Sequence, residues 1–170
     1  MGLCHRRFCV NSRAILWVSF VESPPVTDAP LTSPHDRQLE GWPDWSILVV
    51  DDEPGMLSFL VKTLAPRCHF VMNASTAEDG AQWLRGHHVD LIILDISLPG
   101  KNGVTWLKEL REHGYTGEVI LITAFADLDT AIEALRAGAS DFILKPFRVP
   151  QILNAVKHSH ERARLARENF

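Results

Sequence analysis

The feature that most constrains the fold is an alternation of short apolar runs with amphipathic segments, which begins at Ser46 and repeats five times. The apolar runs are rich in Val, Ile and Leu and occupy residues 47–50, 69–73, 90–94, 119–122 and 141–144. A strand that is covered on both faces is continuously apolar, whereas a half-exposed strand alternates. The pattern therefore predicts a parallel sheet with helices on both sides.

The segments between the runs have the spacing of helices that bury one face. The second helix is predicted to start after Ser75 as its N-cap, with Glu78 completing a capping box, and Gly138 is placed to end the fourth. The fifth is predicted to begin near Val149 or Pro150. The stripes predicted to face the core are Leu57, Leu60, Val61 and Leu64 in the first helix, Val104 and Leu107 in the third, Leu128, Ile132 and Leu135 in the fourth, and Leu153 and Val156 in the fifth.

Five alternations of strand and helix leave few topologies, because crossovers between parallel strands are right-handed. The expected fold class is α/β, a flavodoxin-like (βα)5 doubly wound parallel sheet with strand order 2-1-3-4-5. In such a sheet the ligand site lies at the carboxyl ends of the strands, beside strand 1, where the strand order reverses.

Four of the five predicted strands end in polar or charged residues at that edge. Asp51 and Asp52 follow strand 1, Asp95 ends strand 3, Thr123 ends strand 4 and Lys145 follows strand 5. Each has an ordinary structural explanation: an N-cap for an Asp, a packing role for the Thr, a solvated strand end for the Lys. Two carboxylates about 4 Å apart repel by roughly 4 kcal/mol, so the conjunction predicts a cluster that recruits Mg²⁺. Asp95 is then a nucleophile for a phosphoryl group, with Lys145 and Thr123 stabilising its oxygens.

The first 44 residues differ from the rest of the chain. Five of the ten prolines lie between Pro24 and Pro43, which predicts a poorly ordered leader and linker, or a mis-assigned start of the chain. Arg6 and Arg7 before the apolar run 14–21 faintly resemble a secretory or twin-arginine signal, but the run is too short to span a membrane. The three cysteines include no C-x-x-C pair, which argues against a disulfide framework. The net charge of −4 argues against direct DNA binding. A cytoplasmic protein with no membrane contact is expected.

Four motifs carry a resemblance to a known family. They are Asp51-Asp52-Glu53-Pro54, Asp95-Ile-Ser-Leu-Pro-Gly-Lys-Asn-Gly103, Ile122-Thr123-Ala124 and Lys145-Pro146-Phe147. In order and spacing they resemble the receiver domain of two-component response regulators, from about residue 47 to about residue 160. The stretch from Asp127 to Phe147 and the tail after Glu161 are most similar to receivers of sigma-54-dependent activators.

The resemblance implies a role for each matched residue. It makes Asp95 the phosphoacceptor, and it implies a cis Lys145–Pro146 bond. It implies that Mg²⁺ is bound by Asp52 directly, by Asp51 partly through water, by Asp95 and by the backbone carbonyl of Ser97. It also implies that Lys145 pairs with the phosphoryl group. Thr123 and Phe142 are then the switch residues.

The domain organisation implied is a receiver over 45–160 and a helical extension over 161–170. The chain is expected to be a signalling domain and not an enzyme, apart from catalysing its own phosphorylation from small phosphodonors and its own dephosphorylation. The expected partners are a sensor histidine kinase or phosphotransfer protein, and a second copy through helix 4, strand 5 and helix 5. An aspartyl-phosphate phosphatase is disfavoured by Ser97, because such enzymes carry a second Asp there. A flavin-binding module is disfavoured by the acidic residues after strand 1. A stand-alone receiver and a truncated activator both fit the sequence.

Overall fold

The computed structural model describes residues 41–124 and 128–169, and for Leu128 the backbone alone. Five parallel strands form one sheet in the order β2-β1-β3-β4-β5, which confirms the predicted fold class. The strands are β1 Trp42–Val50, β2 Cys68–Ala74, β3 Leu91–Asp95, β4 Glu118–Thr123 and β5 Asp141–Leu144. The helices are α1 Pro54–Leu64, α2 Ala77–Gly86, α3 Gly103–Glu112, α4 Leu128–Arg136 and α5 Val149–Glu168, with a short 3₁₀ turn at Ala65–Arg67.

Alternate residues of the strands supply two separate cores, one on each face of the sheet. Leu48 and Ile92 point into the layer covered by α2 and α3, whereas Ile47 and Val49 point into the layer covered by α1 and α5. The two central strands β1 and β3 are therefore buried on both sides, as their unbroken apolar runs predict. This packing fixes the register of the strands, and with it the position of every residue at their carboxyl ends.

The first strand begins at Trp42, five residues before its predicted start. Trp42 pairs with Cys68 of β2, and the indoles of Trp42 and Trp45 are buried in the α1/α5 layer. The register is irregular between Trp42 and Ser46, and Pro43 lies inside that irregularity, where a missing backbone N–H is tolerated. The leader was predicted over residues 1–44, but residues 42–44 belong to β1 and residue 41 lies next to it. Residues 1–40 are outside the described residues.

Two sequence predictions about the helices are wrong. The N-cap of α2 is Thr76 and not Ser75, because the Thr76 hydroxyl accepts the Asp79 N–H at 3.1 Å. The stripe predicted for α4 is not buried: Leu135 is 60% exposed and Ile132 37% exposed, while Ala134 is fully buried. A small residue lets α4 lie close to the sheet, which leaves its larger apolar side chains outside.

The C-terminal helix α5 begins at Val149, as predicted, and continues to Glu168, so residues 161–168 extend the same helix. Its extension lies near the amino-terminal edge of the sheet, where Arg162 approaches Glu118 at 3.4 Å and Arg167 approaches Asp90 at 3.5 Å. Within the described part of the chain no helix is long and apolar enough to cross a membrane.

Candidate functional site

The carboxyl edge of the sheet brings the predicted residues together. Asp51 follows β1, Asp95 ends β3, Thr123 ends β4 and Lys145 follows β5. Asp51, Asp95 and Thr123 are buried. Because these four strands are neighbours in the sheet, residues separated by up to 94 positions in sequence meet in one pocket.

Lys145 joins the two buried carboxylates. Its Nζ lies 2.8 Å from Oδ2 of Asp51 and 2.8 Å from Oδ2 of Asp95, and its side chain is 14% exposed. The Lys145 N–H donates to the Thr123 carbonyl at 2.8 Å, which holds the end of β5 against β4. The peptide bond between Lys145 and Pro146 is cis, as the resemblance implies.

The remaining oxygens of both carboxylates accept backbone hydrogen bonds. Oδ1 of Asp51 accepts the Glu53 N–H at 2.8 Å, and Oδ1 of Asp95 accepts the Ser97 N–H at 3.0 Å. Each carboxylate is thus oriented by a backbone donor two residues downstream and by the shared ammonium. These two donors were not predicted from the sequence, although an Asp that bonds the N–H two residues later is a common local pattern.

The pKa values of both Asp51 and Lys145 are raised, the first by burial and the second by its carboxylate partners. Burial raises the pKa of the Asp51 carboxyl above its ordinary value, against the opposing hydrogen bonds from Lys145 and Glu53, and the nearby Asp95 adds to the rise. Burial acts to lower the pKa of Lys145, but its hydrogen bonds to Asp51 and Asp95 and their charges outweigh it, so that pKa is raised. Lys145 therefore remains protonated at neutral pH.

The pocket has the donors of a site for a hard cation. Asp51, Asp52 and Asp95 each present a carboxylate oxygen, and these oxygens lie within 4.8 Å of one another. Asp51 and Asp95 are buried while Asp52 is exposed, so the cluster opens to solvent on the Asp52 side. Three carboxylates against one ammonium leave two negative charges uncompensated, and oxygen donors of this kind suit a divalent cation such as Mg²⁺.

The two predicted switch residues lie on adjacent strands beside the pocket. Thr123 is 1% exposed. Phe142 is half-buried and packs against the core cluster of the α2/α3 layer, which includes Leu121 and Ala134. Phe142 pairs in register with Leu121, two residues before Thr123. The Phe142 side chain is thus neither fully buried nor fully exposed.

The sequence profile of the response regulator receiver domain matches residues 47–157. The chain belongs to this family. Among curated relatives, the receiver is 34% identical over 113 residues to the chemotaxis protein CheY of Bacillus subtilis, an alignment that covers 65% of this chain and 92% of that protein. It is 36% identical over 106 residues to the regulatory protein AtoC of Escherichia coli, covering 62% of this chain and 23% of that protein.

Solved receiver structures share the fold. The receiver domain of a LuxO repressor protein from Vibrio parahaemolyticus superposes with a TM-score of 0.67 at 26% identity, covering 72% of this chain and 95% of that chain. NtrX from Brucella abortus superposes with a TM-score of 0.69 at 30% identity, covering 74% of this chain and 28% of that one. The receiver spans half or less of several curated regulators that it matches, among them the probable C4-dicarboxylate response regulator DctR of Priestia megaterium, of which it covers 50%.

Proposed function

We propose that this receiver accepts a phosphoryl group on Asp95 from a histidine kinase or phosphotransfer protein, in a reaction that needs Mg²⁺, and that the phosphorylated form changes which partners it binds. The observation that carries the proposal is the Lys145 ammonium held 2.8 Å from both Asp51 and Asp95 in a carboxylate cluster that opens to solvent. A structural ion pair needs one carboxylate, whereas this cluster holds two further carboxylates whose charge an incoming cation would offset.

The chemistry proposed for Asp95 is a nucleophilic displacement at phosphorus. A bond forms between an Asp95 carboxylate oxygen and phosphorus while the bond from phosphorus to the donor breaks, and the donor leaves with its electron pair. The Ser97 N–H orients the carboxylate from one side. The Lys145 ammonium would pair with a phosphoryl oxygen once Asp95 carries the acyl phosphate, so the residues would act by positioning and charge stabilisation.

Asp51, Asp52, Asp95 and the Ser97 backbone carbonyl are the groups that we propose hold Mg²⁺. When bound, the ion would supply positive charge opposite the phosphoryl oxygens. Burial of Asp51 and Asp95 favours this assignment, because buried carboxylates that are not neutralised are costly. We further propose that the receiver works in the cytoplasm, catalyses its own phosphorylation from small phosphodonors and its own dephosphorylation, and makes no direct contact with DNA.

The test of the function is phosphoryl uptake from acetyl phosphate, followed by intact-mass spectrometry. The receiver is expected to gain the mass of one phosphoryl group in Mg²⁺ and none in EDTA, because the carboxylate cluster repels the anionic donor without a cation. Equal uptake in EDTA would exclude the proposed metal requirement. No uptake in Mg²⁺ from acetyl phosphate or from a kinase would exclude the phosphoacceptor function.

The crowding of carboxylates predicts that a change which stabilises the metal-free fold will weaken Mg²⁺ binding. Asp52→Asn is expected to raise the melting temperature in EDTA by about 1–3 °C, since it removes one like charge from the cluster at an exposed position. The same change is expected to weaken Mg²⁺ binding about tenfold or more. Differential scanning calorimetry and isothermal titration calorimetry measure the two effects.

The matched control is Glu53→Gln, which removes the adjacent negative charge but keeps the backbone N–H of residue 53 that donates to Asp51. The Glu53 carboxylate is outside the cluster of three, so Glu53→Gln is expected to raise the melting temperature in EDTA by less than Asp52→Asn does. A melting temperature of Asp52→Asn that is unchanged or lowered in EDTA would contradict the repulsion.

A further inference from the structure

The start of α3 packs directly on the backbone of Asp95. Gly103 is the first residue of the helix and is buried, and its N–H donates to the Ile96 carbonyl at 2.8 Å. This bond closes the loop that leaves β3 after Asp95 and returns at Asn102. The loop therefore ends where it began, beside the proposed phosphoacceptor.

There is no room for a side chain at this junction. A Cβ on Gly103 would lie 2.3 Å from the Asp95 carbonyl oxygen and 2.9 Å from the Cα of Ile96. Ordinary contacts of this kind start near 3.4 Å, so a Cβ would require a displacement of about 1 Å. Both neighbours are backbone, and they cannot move aside as the end of a flexible side chain could. Among the described glycines, positive φ angles occur at Gly100, Gly114 and Gly138, so the requirement at Gly103 is for space and not for a left-handed conformation.

The displacement would reach two of the proposed metal donors. Ile96 is fixed on its other side, because its N–H donates to the Ile122 carbonyl of β4 at 3.0 Å. A Cβ on Gly103 would therefore displace the backbone of Asp95 and Ile96, which is held between β4 and α3. Ser97 follows this segment directly. The Ser97 N–H and the Asp95 Oδ1 that it bonds belong to that segment.

We infer that Gly103 is a positioning residue for phosphoryl transfer: the absence of its side chain sets the place of the Asp95 carboxylate and of the Ser97 peptide relative to Lys145 and the metal site. The predicted effect on phosphoryl transfer rests on the proposed function, whereas the predicted effect of Gly103 on the positions of Asp95 and Ser97 does not. A displacement of about 1 Å of a reacting group can slow a reaction about a hundredfold.

The central variant is Gly103→Ala, and the chain offers two matched controls. Gly55 also lies in the first turn of a helix beside the pocket, yet a Cβ there would meet only the Glu53 side chain, at 3.8 Å. Asn102→Ala removes the side-chain cap that accepts the Val104 N–H at the start of the same α3, but adds no atom near Asp95. Gly55→Ala and Asn102→Ala are expected to take up phosphoryl from acetyl phosphate within about twofold of the wild type, and Gly103→Ala about tenfold or more slowly.

A spectroscopic readout separates positioning from loss of stability and does not depend on phosphorylation. In EDTA, the amide resonance of Ser97, which reports its bond to Asp95, is expected to shift in Gly103→Ala, while that of Glu53, which reports the equivalent bond to Asp51, stays in place. If the wild type takes up no phosphoryl group, the proposed function fails and the amide shifts still decide the inference. If Gly103→Ala matches Gly55→Ala in rate and in the Ser97 resonance, the inference is overturned.

Should Gly103→Ala not fold, the wild type supplies the test through reciprocity of coupling. Stabilisation of Asp95 and Ser97 by Mg²⁺ must then also stabilise the Gly103–Ile96 hydrogen bond. Amide exchange at Gly103 is expected to slow about fivefold or more on addition of Mg²⁺, relative to the Tyr115 amide, which bonds the Leu110 carbonyl just beyond the other end of α3. Equal slowing at both amides would overturn the inference.

Discussion

Lys145→Met is expected to lower the free energy of unfolding in EDTA by about 3 kcal/mol, because it leaves two buried carboxylates without their shared counter-ion. Both are within 2.8 Å of Nζ, and the side chains of Asp51 and Asp95 are 0% and 5% exposed. The same variant is expected to take up phosphoryl from acetyl phosphate about a hundredfold more slowly or worse, since it removes a charged donor aimed at the transferred group. Urea unfolding and intact-mass spectrometry measure the two losses.

The matched control is Lys101→Met, which removes another lysine from an ion pair, the 2.6 Å contact with Glu109. Both partners there are about one-third exposed or more, so the loss of unfolding free energy is expected to be much smaller than in Lys145→Met, with no effect on phosphoryl uptake. The loss in Lys145→Met is also expected to shrink as the pH falls. Burial raises the pKa of Asp51, so protonation relieves the folded state before the unfolded one. Equal losses of unfolding free energy and of phosphoryl uptake in Lys145→Met and Lys101→Met would contradict the proposed role of Lys145.

Phosphorylation is expected to make the receiver dimerise through helix α4, strand β5 and the start of α5. This surface, the α4–β5 surface, exposes four large apolar side chains: Ile132 37%, Leu135 60%, Leu144 49% and Val149 36%. Charges of both signs surround them, including Asp129, Glu133, Arg136 and Arg148, while Asp127 lies outside the described residues. A surface with both signs of charge and a large apolar content suits a two-fold pair.

The switch that we propose couples Asp95 to this surface through Thr123 and Phe142. A phosphoryl group on Asp95 would attract the buried Thr123 hydroxyl, and the half-buried Phe142 ring would then move inward beside α4. In this switch the phosphoryl group shifts the populations of two conformations that already exist and does not create a new one. Beryllofluoride with Mg²⁺ imitates the phosphoryl group, and it is expected to raise the molar mass measured by light scattering from 19.1 kDa toward about twice that value.

Two variants test the route and the surface separately. Thr123→Ala is expected to reduce the beryllofluoride response without changing the unactivated mass, because it interrupts the switch. Leu135→Lys is expected to abolish dimerisation, whereas Leu165→Lys, at a similarly exposed apolar position on the extension of α5, is expected to leave it intact. A receiver that stays monomeric in beryllofluoride at high micromolar concentration would exclude the dimer and leave docking to another protein as the output.

The sheet and the edge of the pocket were predictable because both follow from strict local rules. Strands buried on both faces must be apolar throughout, and parallel strands must deliver their carboxyl ends to one edge. The sequence alone therefore predicts that Asp51, Asp95, Thr123 and Lys145 lie together. The sequence could not show that Lys145 bonds both carboxylates, since this depends on side-chain geometry across three strands.

Other features were not predictable because tertiary contacts override local pattern. Trp42 joins β1 across Pro43, which alone argues for a break in the strand. On α4 the pattern of large apolar residues marks a surface, because Ala134 makes the close contact that Ile132 and Leu135 were expected to make. The N-cap of α2 is Thr76 although Ser is in general the better N-cap, because the backbone geometry places the Thr76 hydroxyl against the Asp79 N–H. In sequence Gly103 resembles any glycine at the start of a helix, and only the structure shows how close it lies to the Asp95 backbone.

The most direct measurement of the central claim is the position of the phosphoryl group. An acyl phosphate is reduced by borohydride to an alcohol, so a phosphorylated aspartate becomes homoserine and can be located by peptide mass spectrometry. After treatment with acetyl phosphate and Mg²⁺, homoserine is expected at position 95 in the wild type and nowhere in Asp95→Asn. Homoserine at position 51 or 52, or a phosphoryl group retained by Asp95→Asn, would contradict the account.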